Sequence, residues 1–131
     1  MGKIRVLLAD DHETILASVR SVLGAEFDVV GAVCNGRDAI AEVQHLDPDV
    51  LVMDISMPGM DGLQAASKLC RGTCRTKIVF LTVHEDQDYV DAAFAAGASG
   101  YVSKSRVASD LVNAIREALN GRTFISKLGK T

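Results

Sequence analysis

Five side chains carry the chemistry available to this sequence: the acids Asp10, Asp11 and Asp54, the hydroxyl of Thr82 and the ammonium of Lys104. Singly, each has an ordinary reading, Asp11 as a helix cap, Thr82 as the end of a strand and Lys104 as a solvated loop charge. Together they read differently, because each lies at or just past the end of a short apolar run, Ile4 to Ala9, Asp49 to Asp54, Lys77 to Thr82 and Ser99 to Val102. Three carboxylates gathered on one rim repel one another by ~3–4 kcal/mol per pair at about 4 Å and an effective dielectric of about 20. One lysine cannot balance three acids. The donors are all oxygen, so a hard divalent ion is expected, and Mg²⁺ fits because it uses few protein carboxylates and keeps waters. A carboxylate beside such an ion can attack phosphorus and become an aspartyl phosphate, while Mg²⁺ and Lys104 spread the charge of the phosphoryl group and Thr82 donates a hydrogen bond.

The elements that must hold these residues follow from the hydrophobic pattern. Strands are expected at 4–9, 27–33, 49–54, 77–82 and 99–102, alternating with helical stripes. Ile15, Leu16, Val19, Val22 and Leu23 give the first helix one apolar face, and Leu111, Val112, Ile115, Ala118 and Leu119 give the last helix another, stopped by Asn120-Gly121. Shorter helices fit 36–46, 62–70 and 86–96, with Asp61 and Asp86 as N-caps. Such alternation predicts an α/β fold with a doubly wound parallel sheet between two helical layers. The second run, broken by Asp28 and Gly31, and the short fifth belong at the edges, which with right-handed crossovers gives the order 2-1-3-4-5. In that architecture ligands bind outside the carboxyl ends of the strands, at the switch between strands 1 and 3.

The 131 residues, 48% hydrophobic and 24% charged, suit one folded domain and exclude a disordered or collagen-like chain. A formal charge of −3 offers no basic field for nucleic-acid phosphates or anionic lipid, so direct DNA or membrane contact is not expected. Runs such as Val6 to Ala9 are too short to span a bilayer, and no small-residue cleavage site follows the first one. Cys34, Cys70 and Cys74 form no disulfide framework, which with the missing leader points to the cytoplasm. Cys70 and Cys74 are a C-x3-C pair, but His12, His45 and His84 are scattered and complete no zinc site.

The chain resembles the receiver domain of two-component response regulators. The resemblance rests on Asp10-Asp11, on the segment Asp54-Ile55-Ser56-Met57-Pro58-Gly59-Met60-Asp61-Gly62, on Ile78-Val79-Phe80-Leu81-Thr82, and on Gly97 to Lys104, in that order and spacing. It implies a flavodoxin-like (βα)5 three-layer sandwich over residues 1–125. It also implies that Asp54 accepts phosphate from a phosphohistidine on a sensor histidine kinase. Asp11, Asp54 and the Ser56 carbonyl would ligate Mg²⁺, with Asp10 acting through water. Lys104 would pair with the phosphoryl group, and Thr82 would move toward it as Tyr101 turns inward, altering the face made by the fourth helix, fifth strand and fifth helix. Ala92, Ala93, Ala95 and Ala96 of that fourth helix bury little area and hold it weakly. Ser56 and His84 occupy the rim positions that tune hydrolysis of the phosphoryl aspartate in this family; His84 is otherwise a solvent-facing loop residue.

The opening Ile4 to His12 and the closing Asn120 to Ser126 resemble the branch whose receivers precede a LuxR-type helix-turn-helix output domain. Residues 126–131 are then a tail or the start of a linker, and the sequence is expected to be a piece of a longer transcription regulator that reaches DNA through its output domain. A phosphorylated homodimer would set Glu85, Asp86, Asp88 and Asp91 against Arg106, Arg116 or Arg122 of a twin. The implied role is a switch rather than a conventional enzyme, one that catalyses its own phosphorylation and dephosphorylation. A phosphohydrolase is disfavoured by Ser56, where aspartate-nucleophile hydrolases carry a second Asp. A nucleotide or flavin module is disfavoured by the first turn, Ala9 to His12, which lacks glycine and presents negative charge. Loss of phosphorylation in a pure interaction domain is disfavoured by retention of every reactive residue. Ser105 stands after Lys104 where many receivers have a cis proline, so the isomer at this bond is left open.

Overall fold

A strand covered on both faces needs apolar side chains at successive positions. Val50–Asp54 is such a strand, buried throughout. The computed structural model describes residues 2–71 and 75–127. Along the chain lie β1 Ile4–Ala9, α1 Glu13–Leu23, β2 Phe27–Val33, α2 Gly36–Leu46, β3 Val50–Asp54 and α3 Gly62–Cys70, then β4 Lys77–Thr82, α4 Gln87–Ala95, β5 Gly100–Ser103, α5 Val107–Leu119 and β6 Phe124–Ile125. All strand pairs are parallel, in the order β2-β1-β3-β4-β5-β6.

The two cores follow the period-two alternation of the strands. Leu7, Leu51, Met53, Ile78 and Phe80 pack with Ala39 and Val43 of α2, Ala65, Ala66 and Leu69 of α3 and Val90 and Ala93 of α4. Their neighbours Val6, Leu8, Val50, Val52, Val79 and Leu81 face Val19 and Leu23 of α1 and Leu111, Ile115 and Ala118 of α5. Only Val90 and Ala93 of α4 are buried, as its alanine content suggests. Among the described residues no helix is long and apolar enough to cross a membrane.

The doubly wound order 2-1-3-4-5 is present, with β2 at one edge, but the other edge differs from expectation. β5 is not the last strand: Gly100 and Tyr101 pair with Phe124 and Ile125 of β6. Two residues carry no readable alternation, so this strand leaves no pattern in the sequence. Nor does a tail begin at Ser126, which is 2% exposed and hydrogen-bonded on β5 through both its amide and its hydroxyl. Residues 128–131 of the expected tail, and Cys74 of the C-x3-C pair, lie outside the described residues.

Asp61 caps α3 with a full capping box, its carboxylate accepting from the Gln64 amide while the Gln64 side chain accepts from the Asp61 amide. Asp86 sits at the N-cap of α4 without a side-chain bond. His12, not Asp11, occupies the N-cap of α1, which frees Asp11 for the rim.

Candidate functional site

The carboxyl ends of β1 and β3 are adjacent because Ala9 pairs with Met53. Asp54 ends β3, and Asp10 follows β1 directly, anchored by its amide to the Val33 carbonyl at 3.0 Å. Next along the sheet, Thr82 ends β4 opposite Ser103, the residue before Lys104. Topology thus delivers all five chemically active residues to one rim.

Gly62 fixes the position of Asp54 from below. Its amide donates to the Ile55 carbonyl at 2.7 Å, and a Cβ at this position would collide with the Asp54 carbonyl oxygen. The first residue of α3 can therefore lie against the Asp54–Ile55 backbone only without a side chain. Gly59, at φ 73°, turns the intervening loop.

Lys104 Nζ lies 2.9 Å from Asp54 Oδ2 and 3.0 Å from Asp10 Oδ2. All three side chains are nearly dry, exposed by 8%, 4% and 4% for Lys104, Asp54 and Asp10. Burial pushes the Asp54 pKa up; the Lys104 hydrogen bond and charge oppose that, the Asp10 charge adds to it, and the net direction is upward. For Lys104, burial works toward a lower pKa, but the Asp54 hydrogen bond and the nearby Asp54 and Asp10 carboxylates outweigh it and raise the pKa. Asp10 Oδ2 approaches Nζ out of hydrogen-bonding alignment and is left without a hydrogen bond.

Asp10, Asp11, Asp54 and His12 each bring one ligand atom within 4.8 Å of the others. The three acids supply hard oxygen donors, and Lys104 neutralises at most one of them, so the residues present fit a bound divalent cation. His12 was not among the residues expected here. Its Nδ1 stands 2.9 Å from Asp10 Oδ1, 3.2 Å from Asp11 Oδ1 and 3.9 Å from Asp54 Oδ2. The only sequence signal was its place directly after the acidic pair.

The other expected residues fall into a second, connected group. Thr82 is fully buried, and its Oγ1 accepts from the His84 amide at 3.0 Å. Tyr101 is already inside the molecule, with no exposed surface, and its hydroxyl donates to the His84 carbonyl at 2.8 Å. Burial pushes the Tyr101 pKa up to about 12, so the phenol is a neutral donor. His84 is not a free solvent-facing residue: its Nε2 meets Ser56 Oγ at 2.9 Å, and its ring stacks on Tyr89 of α4 at 3.9 Å and 5°. The Ser56 amide donates to Asp54 Oδ1 at 3.2 Å. Lys104–Ser105 is a trans peptide.

The arginines expected to meet a twin are occupied within the chain. Arg106 pairs with Asp110, Arg116 with Glu26 and Arg122 with Glu117. Of the acids opposite, Glu85 accepts from Ser103 Oγ and Asp91 from Gln87.

Residues 6–116 match the family described as the response regulator receiver domain. The chain is 40% identical over 125 residues to the response regulator UvrY of Escherichia coli (strain K12), a match that covers 94% of this chain and 57% of the relative. It therefore spans little more than half the length of such relatives. The receiver domain of the response regulator NarL from Mycobacterium tuberculosis superposes with a TM-score of 0.88 at 30% identity, over 93% of this chain and 100% of that one. The non-phosphorylated receiver domain of RcsB from Escherichia coli gives 0.87 at 27% identity, over 96% of this chain and 100% of that one.

Proposed function

The chain belongs to the response regulator receiver domain family, and from that premise we propose that it is a phosphoacceptor switch in which Asp54 is the residue modified. A sensor histidine kinase is the donor. An Asp54 carboxylate oxygen attacks the phosphorus of phosphohistidine, the P–N bond breaks and the imidazole leaves, giving an aspartyl phosphate that water later hydrolyses to return the carboxylate. The single observation that carries this reading is Lys104 Nζ held between Asp54 and Asp10, a fixed cation beside a nucleophile in a nearly dry site.

Mg²⁺, held by Asp11, Asp54 and the Ser56 carbonyl with Asp10 acting through water, would supply the charge that the phosphoryl oxygens need. Lys104 is already in place for the same task and needs no rearrangement to meet a phosphoryl group on Asp54. Thr82 gives up the His84 amide to donate to the modified aspartate, and the loop from Val83 to Asp86 follows. Tyr101 holds that loop through the His84 carbonyl, so a shift there reaches α4 and β5. Ser56 and His84, joined at the mouth of the site, control the approach of water and so the lifetime of the modification.

The switch works in the cytoplasm, where kinase and promoter are both accessible, and acts on transcription through a DNA-binding output domain of the longer protein. Phosphorylation promotes homodimerisation, and for the exposed Arg106, Arg116 and Arg122 to meet a twin they would exchange their partners within the chain. Incubation with phosphoramidate, whose P–N bond mirrors that of phosphohistidine, tests the reading. A hydroxylamine-labile phosphoryl group should form in the presence of Mg²⁺ and fail to form when chelator is present from the start; a phosphoryl group that forms equally well in chelator contradicts the proposed site.

A further inference from the structure

Lys104 is flanked by two serines that hydrogen bonds tie to the end of the described chain. The Ser103 amide donates to Ser126 Oγ at 3.1 Å, and Ser126 Oγ donates in turn to Asp110 Oδ2 at 2.6 Å. The Ser126 amide donates to the Tyr101 carbonyl at 2.8 Å, which seats the residue beside β5. On the other side of Ser103, its Oγ meets Ser105 Oγ at 2.9 Å and donates to Glu85 Oε2 at 3.0 Å.

The anchor of this chain is a buried charge. Asp110 is 7% exposed and also accepts from Arg106 Nε at 2.9 Å and Ser109 Oγ at 3.1 Å. Burial favours its neutral form, but the hydrogen bonds from Ser126, Arg106 and Ser109 outweigh that and lower its pKa. An ionised acceptor binds a hydroxyl more strongly than a neutral one and leaves it a single rotamer. With its proton committed to Asp110, Ser126 Oγ can only accept, and it accepts from the amide of the residue before Lys104. A serine that served only to plug the end of β6 would have no need of that partner.

Resting on the phosphoacceptor reading above, we infer that Ser126 is a positioning residue for Lys104: held by Asp110, it fixes the corner between β5 and α5 from which the ammonium reaches Asp54. The same bonds run in the other direction. Coupling between two sites is reciprocal, so engagement of Lys104 by a phosphoryl group tightens the docking of β6 and Ser126 on β5. This gives the site a route to β6 and Ser126 that uses the β5 backbone and not the Thr82 hydroxyl or the Tyr101 phenol.

The test compares the 131-residue chain with its Ser126→Ala and Ser126→Thr variants, by intact mass during incubation with acetyl phosphate and Mg²⁺. Ser126→Ala should phosphorylate about five- to tenfold more slowly at saturating Mg²⁺, the size expected of a coupling of this kind. Its half-saturating Mg²⁺ concentration should not change, because Asp10, Asp11 and Asp54 are untouched, and Ser126→Thr should recover most of the rate. An unchanged rate in Ser126→Ala overturns the inference, as does a rate loss accompanied by an equal loss of Mg²⁺ affinity, which marks general damage. Amide exchange in the wild-type chain tests it without relying on a variant that folds. The Ser103 and Ser126 amides should exchange more slowly after phosphorylation, and identical exchange before and after overturns the inference. A wild-type chain that takes up no phosphate rejects the phosphoacceptor reading itself, a different result from a fully active Ser126→Ala.

Discussion

Lys104 Nζ stands 2.9 Å from Asp54 Oδ2 although the two residues are 50 positions apart in sequence. The contact exists because β3 and β5 flank β4 in a parallel sheet, so their carboxyl ends open on one rim. Asp10 shares the same ammonium, and Asp11 adds a third acid at the edge of the group. One fixed cation among three acids leaves a surplus of negative charge, which is the physical basis for both cation binding and a reactive carboxylate.

The surplus makes the metal-free fold less stable than it need be. The Asp54 pKa is raised on folding, by burial first and by the Asp10 charge, so its contribution to stability is greatest when the group is protonated. That contribution falls as pH rises through the folded pKa, and at neutral pH the ionised form costs free energy. Asp54→Asn should therefore raise Tm in chelator at pH 7 by about 3–6 °C. Mg²⁺ should raise the Tm of the wild-type chain and leave that of the variant almost unmoved. Calorimetry with and without Mg²⁺ checks both; a variant less stable than wild type in chelator would contradict the charge argument.

Removing the cation acts in the opposite direction. Lys104→Met takes the shared ammonium from two buried carboxylates, Asp10 and Asp54, at a cost of roughly 1–3 kcal/mol. Urea unfolding in chelator should show this loss, and saturating Mg²⁺ should recover part of it. Phosphorylation by a small donor should be slowed at every Mg²⁺ concentration, since the metal cannot replace a donor aimed at the phosphoryl oxygens.

Two glycines of the β3–α3 connection should respond differently to the same change. Gly62→Ala drives a Cβ into the Asp54 carbonyl, and the backbone must shift at a cost of roughly 1–3 kcal/mol. Because the displaced residue is the phosphoacceptor, the phosphorylation rate should fall as well. Gly59→Ala meets nothing within 4 Å and suffers only its φ of 73°, so its effect should stay near 1–2 kcal/mol, on the order of the left-handed penalty, with the rate preserved. Parallel unfolding and phosphorylation assays separate the two cases.

Asp110 predicts an acid limb in the stability profile. Burial alone would raise its pKa, yet hydrogen bonds from Ser126, Arg106 and Ser109 carry it below the ordinary value of 3.8. A depressed carboxyl contributes stability that is present above its unfolded pKa and is lost as pH falls through the folded one. Asp110→Asn should be less stable than wild type at pH 7, and the gap should close as pH drops below about 4. A gap that stays constant down to pH 2, about two units below the ordinary carboxyl value, would show that the carboxylate charge plays no part.

Much of this was legible in the sequence for identifiable reasons. Strands such as 4–9 and 77–82 and helices such as 36–46 and 62–70 coincide with their hydrophobic periods, and the rim residues Asp10, Asp54 and Lys104 could be brought together once the strand order was known. What stayed hidden depends on contacts rather than patterns. β6 is two residues long and exists because Ser126 is bound to β5 and Asp110. His12 enters the acidic group because Asp10 and Asp11 turn toward it, and His84 is drawn from solvent by Ser56 and Tyr89. Arg106, Arg116 and Arg122, expected to face a second copy, are held in the single chain by Asp110, Glu26 and Glu117.

The central claim is that Asp54 becomes covalently modified with the help of a cation held by its acidic neighbours. Intact-mass spectrometry after incubation with acetyl phosphate and Mg²⁺ tests it most directly. The account predicts the addition of one phosphoryl group to the wild-type chain and none to Asp54→Ala. An unmodified wild-type chain, or an adduct that persists in Asp54→Ala, would contradict it.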